Sequence, residues 1–226
     1  MCGRFGLTID EEALATSYGV EEILLLHVPR YNIAPTQDVP VLRELEGGAR
    51  RIEGFRWGLV PFWAKDVRIG ARMINARSET VQGKPAFRNP WRKRQRCVVL
   101  ADGFYEWQKP PSGKGPKTPW WIRMADGRPF GFAALWDRWD GGESPLFSCT
   151  ILTTDANALV RPVHHRMPVV LGDSRAREAW VDSGVAPEEV LELLAPYPGE
   201  EMVADPVSRY VNAPGNEGPE CVAPVN

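Results

Sequence analysis

Cys2, set directly behind the initiator in Met1-Cys2-Gly3-Arg4-Phe5, is placed where chemistry would be possible. A small residue behind Met favours removal of that Met, so the sequence predicts a working N-terminus at Cys2. Such a terminus carries an α-amine and a thiol on adjacent carbons. The amine titrates at about 7.7–8.0, against about 10.4 for a Lys side chain, so roughly a tenth or more of it is unprotonated near neutral pH. The thiol, with a pKa of about 8.5, contributes a small thiolate fraction and is strongly nucleophilic. Together they can capture an aldehyde at two points: the amine condenses to an imine and sulfur closes a five-membered thiazolidine.

That chemistry needs groups that move protons and groups that hold the substrate. Glu106 lies between large aromatics in Phe104-Tyr105-Glu106-Trp107, where burial would raise its pKa toward the range of acid–base exchange. His164 and His165 stand together beside Arg166, and a neutral imidazole trades protons near pH 7. Asn75 with Arg77 puts an amide and a cation on one loop, suited to orienting a sugar and gripping a phosphate. Arg88, Arg92, Lys93, Arg94 and Arg96, interleaved with Trp91, have the composition of a single-stranded nucleic-acid contact, in which bases stack and phosphates pair with cations.

Composition limits the possible classes. The 27 Lys and Arg against 29 Asp and Glu leave a formal net charge of −2, so no global field draws the chain to nucleic acid and any such contact is local. Hydrophobic content of 43% with 10% aromatics supports a sizeable core, and nine Trp leave some for roles outside it. Cys2, Cys97, Cys149 and Cys221 are widely spaced, which fits a reducing compartment and neither a zinc module nor a disulfide framework. Neither a charged-then-apolar leader nor a membrane-length apolar run is present, so a soluble, cytoplasmic protein is expected.

The elements that must position these residues read as strands for the most part. Residues 3–9 form a short strand that carries the N-terminus into the fold. Thr8 and Glu11 form a capping box for a helix over about 11–18, closed by Gly19. Residues 21–28 are a short apolar run stopped by Pro29. Strands at 39–45 and 52–60 form a hairpin about Gly47-Gly48. Residues 61–95 read as a long functional loop. Further strands fall at 97–101, 104–108, 119–124, 130–136, 146–153 and 167–171, with a flexible basic loop at 109–118. Helices are expected from Asp155 to before Pro162, over 174–182 behind Asp173, and from Pro187 to about 194. The tail from 196 is extended, with one strand near 207–211. The fold class is α+β: a single domain over 1–226 with a mostly antiparallel, barrel-like sheet and peripheral helices.

MCGRF (1–5), YNIAPTQ (31–37), WGLVPFWAKD (57–66), NARSET (75–80), PAFR (85–88), CVVLADGFYEWQ (97–108), FGFAALW (130–136), TILTTDAN (150–157) and HHRMPVVL (164–171) occur in that order. As a set they resemble the SOS-response-associated peptidase family of abasic-site processing proteins, with a weaker match in the Val211-Asn212 pair. The resemblance implies that Cys2 captures the ring-opened aldehyde of an abasic site in single-stranded DNA, forming a thiazolidine crosslink. It implies Asn75 as the residue orienting Cys2 or the opened sugar, and Glu106 as acid–base group, also in removal of Met1. His164 would assist ring opening, Thr153 would lie near the sugar, and Arg4, Arg77 and Arg166 would hold phosphates. Arg88 joins these contacts through the basic stretch. His165 departs from the family, which usually has an acidic residue there, so either histidine could face the site, and register favours His164. No metal or other cofactor is implied, and the chain is expected to act as a monomer. Two alternatives remain at this point. One is an N-terminal-nucleophile amidotransferase or hydrolase, since class II glutamine amidotransferases also begin Met-Cys-Gly. The other is a non-catalytic reader of modified DNA bases.

Overall fold

β-Branched and aromatic residues gathered between Gly, Pro and Asp turns make strands the dominant element. In a computed structural model these are β1 (Phe5–Leu7), β2 (Glu22–Leu24), β3 (Arg30–Ile33), β4 (Asp38–Glu44), β5 (Arg50–Trp57), β6 (Asn75–Arg77) and β7 (Arg96–Ala101). They continue as β8 (Gly103–Gln108), β9 (Thr118–Met124), β10 (Phe130–Trp139), β11 (Leu146–Asp155), β12 (Arg166–Pro168), β13 (Val170–Leu171) and β14 (Met202–Pro206). The helices are α1 (Glu11–Tyr18), α2 (Arg88–Arg92) and α3 (Ser174–Val181). The structure describes residues 2–20 and 22–225; Met1, whose removal the sequence predicts, Glu21 at the head of the apolar run, and Asn226 lie outside the described residues.

Strands β11, β10, β7, β4 and β5 pair in that order, and β5 returns to β11 through Ser148↔Arg56 and Cys149↔Trp57, closing a barrel. Closure removes the open edges that a flat sheet would expose. A second sheet runs β14-β9-β8-β1-β3. Pairing is antiparallel throughout both sheets except where β2 meets β5 and where β11 meets β5 and β6. Every residue of β7 is buried, which explains its nearly unbroken apolar run. Phe5, Trp57, Phe104, Phe130 and Phe132 meet edge-on inside this core. Each such side chain contributes about 1.5–3 kcal/mol of burial. Helix α3, capped by the Asp173 carboxylate on Ala176 N–H, closes one side. Its fully buried Trp180 donates to the Cys97 and Ala134 carbonyls at 2.9 and 3.3 Å.

The barrel-like, mostly antiparallel α+β class is as the sequence predicts, as is the hairpin of β4 and β5. Several local expectations change. Helix α1 is capped by Asp10, which accepts from Ala13 N–H at 2.8 Å; Thr8 instead donates its N–H and hydroxyl to the buried Asp102. The helix does end on Gly19, whose φ of 63° suits glycine. Residues 158–163 are turns and not a helix, because β11 runs on to Asp155 and the Asn157 side chain caps a turn at Val160 N–H. Pro187 opens a turn, with a 3-10 stretch only at Leu191–Leu194. The tail strand is β14, pairing β9 over Met202↔Met124 to Pro206↔Trp120, and Arg209–Asn212 form a 3-10 turn. The strand predicted over 167–171 is split between β12 and β13, since Val169 bonds inward to Leu152 and Ala133. The long segment 61–95 carries a 3-10 helix, β6 and α2. Among the described residues no helix is long and apolar enough to cross a membrane.

Gly103, where β7 passes into β8, lies under the Trp121 indole so closely that a Cβ would run into the ring. Gly103→Ala should therefore destabilise the protein by about 1–3 kcal/mol, read as a lower urea midpoint at unchanged slope. An unchanged midpoint would mean that Trp121 does not clamp this turn.

Candidate active site

Cys2 reaches the site because β1 is paired on both sides. Phe5 lies opposite Phe104 of β8 and Ile33 of β3, and Tyr105 N–H donates to the Arg4 carbonyl at 3.0 Å. Continuing this antiparallel register carries the residues before Phe5 toward Glu106. Cys2 is fully buried, its Sγ 3.7 Å from the Arg4 carbonyl, and the Asn75 amide donates to the Cys2 carbonyl at 2.7 Å. Asn75 is delivered by β6, which runs parallel to β11 with Asn75 opposite Ile151 and Arg77 opposite Thr153. The Asn75 Oδ1 is buried without a hydrogen-bond partner among the described residues.

Electrostatics push each of these groups toward its uncharged form. Burial raises the pKa of the Cys2 thiol, with the Glu106 charge adding to it. Glu106 is 3% exposed, and burial lifts its carboxyl above the ordinary carboxylate range. His164 is half-buried and its pKa is lowered, chiefly by burial and further by His165 stacked on it at 4.4 Å. His164 Nδ1 lies 3.0 Å from the Arg166 backbone N–H. Nδ1 also lies 3.2 Å from the Arg166 carbonyl, so this ring nitrogen meets both the N–H and the C=O of one residue. His165 is exposed.

The cations divide by environment. Arg166, expected as a phosphate ligand, is 6% exposed and grips both carboxylate oxygens of Glu79 at 2.6 and 3.0 Å, with Asp155 at 2.8 Å. It also donates to the Thr153 carbonyl at 2.6 Å. Thr153 itself is fully buried, its hydroxyl 3.4 Å from the Ala76 carbonyl. Arg4 is similarly engaged, donating to Asn32 Oδ1 at 2.6 Å and the Val211 carbonyl at 3.0 Å. Arg77 and Arg88 are exposed.

The basic stretch 88–96 also separates. Arg94 and Arg96 donate to carbonyls between Asp182 and Val185, fastening the end of α3, and Trp91 is buried against Trp180. Arg88, Arg92 and Lys93 remain exposed. The aromatics beside them are Phe62 and Trp63, 55% and 48% exposed, and not Trp91. A cleft of about 340 Å³ is lined by Phe62, Trp63, Pro85, Arg88, Asn89 and Arg92. Sequence reading placed Phe62 and Trp63 in the long functional loop over 61–95 but gave neither a role of its own. It also missed Glu79, whose partner is 87 residues away.

Among the described residues no group of three or more His, Cys, Asp or Glu could hold a metal ion. The arrangement brings together the Cys2 thiol, a buried carboxyl, an imidazole of lowered pKa and an amide. That set is suited to exchanging protons with a carbonyl compound.

Known proteins share this arrangement of sequence and fold. The family model for SOS response associated peptidase (SRAP) matches residues 1–214. The abasic site processing protein YoqW of Bacillus subtilis (strain 168) is 39% identical over 98% of this chain and 99% of its own. The abasic site processing protein HMCES of Gallus gallus is 35% identical over 87% of this chain and 66% of that protein. A solved structure from Bacteroides thetaiotaomicron superposes with a TM-score of 0.87 at 26% identity, covering all of both chains. The chain belongs to the SOS response associated peptidase family.

Proposed function

We propose that this protein captures abasic sites in single-stranded DNA as a covalent thiazolidine on Cys2, after removal of Met1. The observation that carries the reading is the environment of Cys2: its carbonyl held by Asn75 and its thiol kept protonated by burial beside Glu106. A thiol held in that form is a poor first nucleophile, which weighs against the amidotransferase reading. The α-amine therefore attacks first, condensing with the ring-opened aldehyde to an imine and releasing water. The Cys2 S–H then adds across the C=N bond, sulfur to carbon and proton to nitrogen. Ring closure removes the imine, whose acidified neighbouring protons would otherwise permit β-elimination and strand scission.

Glu106, with its raised pKa, exchanges protons with the amine, the departing water and the imine nitrogen, and serves in release of Met1. His164, its pKa lowered by burial, assists opening of the sugar hemiacetal. Asn75 keeps a buried acceptor for the amine or a sugar hydroxyl. Arg77 and Arg88 meet phosphates, while Phe62 and Trp63 offer faces on which unpaired bases stack. Arg4 and Arg166, already bonded, position the strands of the site, Arg166 by way of Thr153. One copy of the chain supplies every residue named here, and we assign it a monomeric, cytoplasmic role as a single domain.

The direct test is untagged protein incubated with an abasic oligonucleotide and run on a denaturing gel. A heat-stable shifted band is expected, stronger on single-stranded than on fully paired DNA, and absent when the N-terminus is blocked or Met1 is retained. A band of equal strength from protein shown by mass spectrometry to retain Met1 would exclude the aminothiol route.

Glu106→Gln should slow capture by on the order of 10²-fold. Its effect on stability follows from the sign of the shift. A carboxyl whose folded pKa is raised contributes stability that is present below its unfolded pKa of about 4.3 and is lost as pH rises through the folded value. The glutamine carries no such loss, so its stability relative to wild type should grow as pH rises above the unfolded pKa of about 4.3. Parallel stability–pH curves for the two proteins would contradict the raised pKa.

A further inference from the structure

Asn32 is fully buried and spends its whole side chain on one task. Its Oδ1 accepts from Arg4, and its Nδ2 faces the carbonyls of Val211, Ala213 and Asn216 at 3.2, 3.0 and 2.8 Å. Two amide hydrogens shared among three acceptors leave no donor capacity over. The neighbouring Tyr31 is held from both sides: its N–H donates to Glu217 at 2.7 Å and its carbonyl accepts from the Tyr105 hydroxyl at 2.7 Å. Segment 207–217 thus folds back across some 180 residues of sequence onto the residues beside the amino-terminal strand.

What that segment touches is specific. Val211 and Asn212 give their carbonyls to Arg4, two residues beyond Cys2. The Asn212 side chain accepts from Trp107 Nε1 at 2.8 Å, and the Arg4 guanidinium lies 6.0 Å from the Trp107 ring centroid. Tyr105, the other neighbour of Glu106, packs in one cluster with Val207 and Val211, so the segment meets both neighbours of the proposed proton carrier and the strand that presents the nucleophile.

We propose that Asn32 is a positioning residue: it gathers segment 207–217 into a clasp that fixes Arg4 and the Tyr105–Trp107 strand, and so sets Cys2 against Glu106. The inference rests on the proposed capture reaction for its rate effect, but the clasp itself is physical and separable. A loop that merely covers an edge would leave the geometry at Cys2 unchanged when loosened. A clasp transmits the loosening to residues 2–7.

Asn32→Asp keeps the shape and an acceptor for Arg4 but turns a carboxylate on three carbonyls, which releases the segment. Asn212→Ala acts on the same clasp from an exposed position and guards against a failure of the first variant to fold. Two measurements decide: amide hydrogen exchange of peptides covering 2–7 and 207–217, and capture of a single-stranded abasic oligonucleotide at varied concentration. For Asn32→Asp, exchange should rise by at least about 10-fold in both segments. The maximal capture rate constant should fall by a similar factor, while the half-saturating DNA concentration changes less than about threefold. Asn212→Ala should shift both in the same direction and less. Faster exchange confined to 207–217, with the rate constant within about twofold of wild type, would overturn the clasp. Should wild type itself capture nothing, the capture reading falls, and the exchange at 2–7 alone decides the clasp.

Discussion

Phe5 packs edge-on against Trp57 and Phe132, with ring centroids 5.2 and 5.6 Å apart, and this contact holds the amino-terminal strand in the core. Chain termini are disordered unless something ties them down. Ordering a residue costs about 1–2 kcal/mol in backbone entropy, while a buried Phe contributes about 1.5–3 kcal/mol and each aromatic pair a further 0.5–1.5 kcal/mol or so. One such anchor therefore offsets the ordering of only two or three residues. The remaining order of residues 2–4 comes from hydrogen bonds: Asn75 on the Cys2 carbonyl, Tyr105 on the Arg4 carbonyl, and Asn32 with the carboxy-terminal segment on the Arg4 side chain.

The same burial that holds the strand sets the chemistry. Cys2 and Glu106 are pushed up in pKa and His164 down, so all three move toward the uncharged state. Groups of that kind are suited to exchanging protons with a substrate. The cations Arg77, Arg88, Arg92 and Lys93 stand exposed to solvent, while the buried Arg166 is neutralised by Glu79 and Asp155. A chain with net charge −2 still carries a local cationic, aromatic patch, where Arg88 and Arg92 line a cleft with Phe62 and Trp63.

The site's inner residues were legible because their types are rare and their chemistry narrow: a Cys behind Met, paired histidines, and a Glu between aromatics. The longer strands were legible from composition, since β-branched and aromatic runs bounded by Gly-Gly or Asp-Gly admit few readings, whereas the short β3 and β6 read as loop. What sequence could not show is which polar groups meet across long separations. Arg166 reads as a free cation until Glu79 and Asp155 are seen on it, and Arg94 and Arg96 look like DNA contacts until α3 is seen beneath them. Thr8 reads as the cap of α1 until its N–H and hydroxyl are seen on Asp102, which leaves Asp10 as the cap. Asn32 lay inside a motif with no assigned role, because its partners begin 179 residues further on.

The central claim is that the α-amine of Cys2 attacks before its sulfur, and Cys2→Ala separates the two groups. Alanine leaves a small residue behind Met1, so the amine is still freed while ring closure is lost. The measurement is a time course of a labelled abasic oligonucleotide with each protein, with and without borohydride. The account predicts that Cys2→Ala gives no heat-stable adduct, an adduct trapped by reduction, and strand cleavage in its absence, while wild type holds the strand intact. A Cys2→Ala protein that yields neither a trapped adduct nor added cleavage would contradict it.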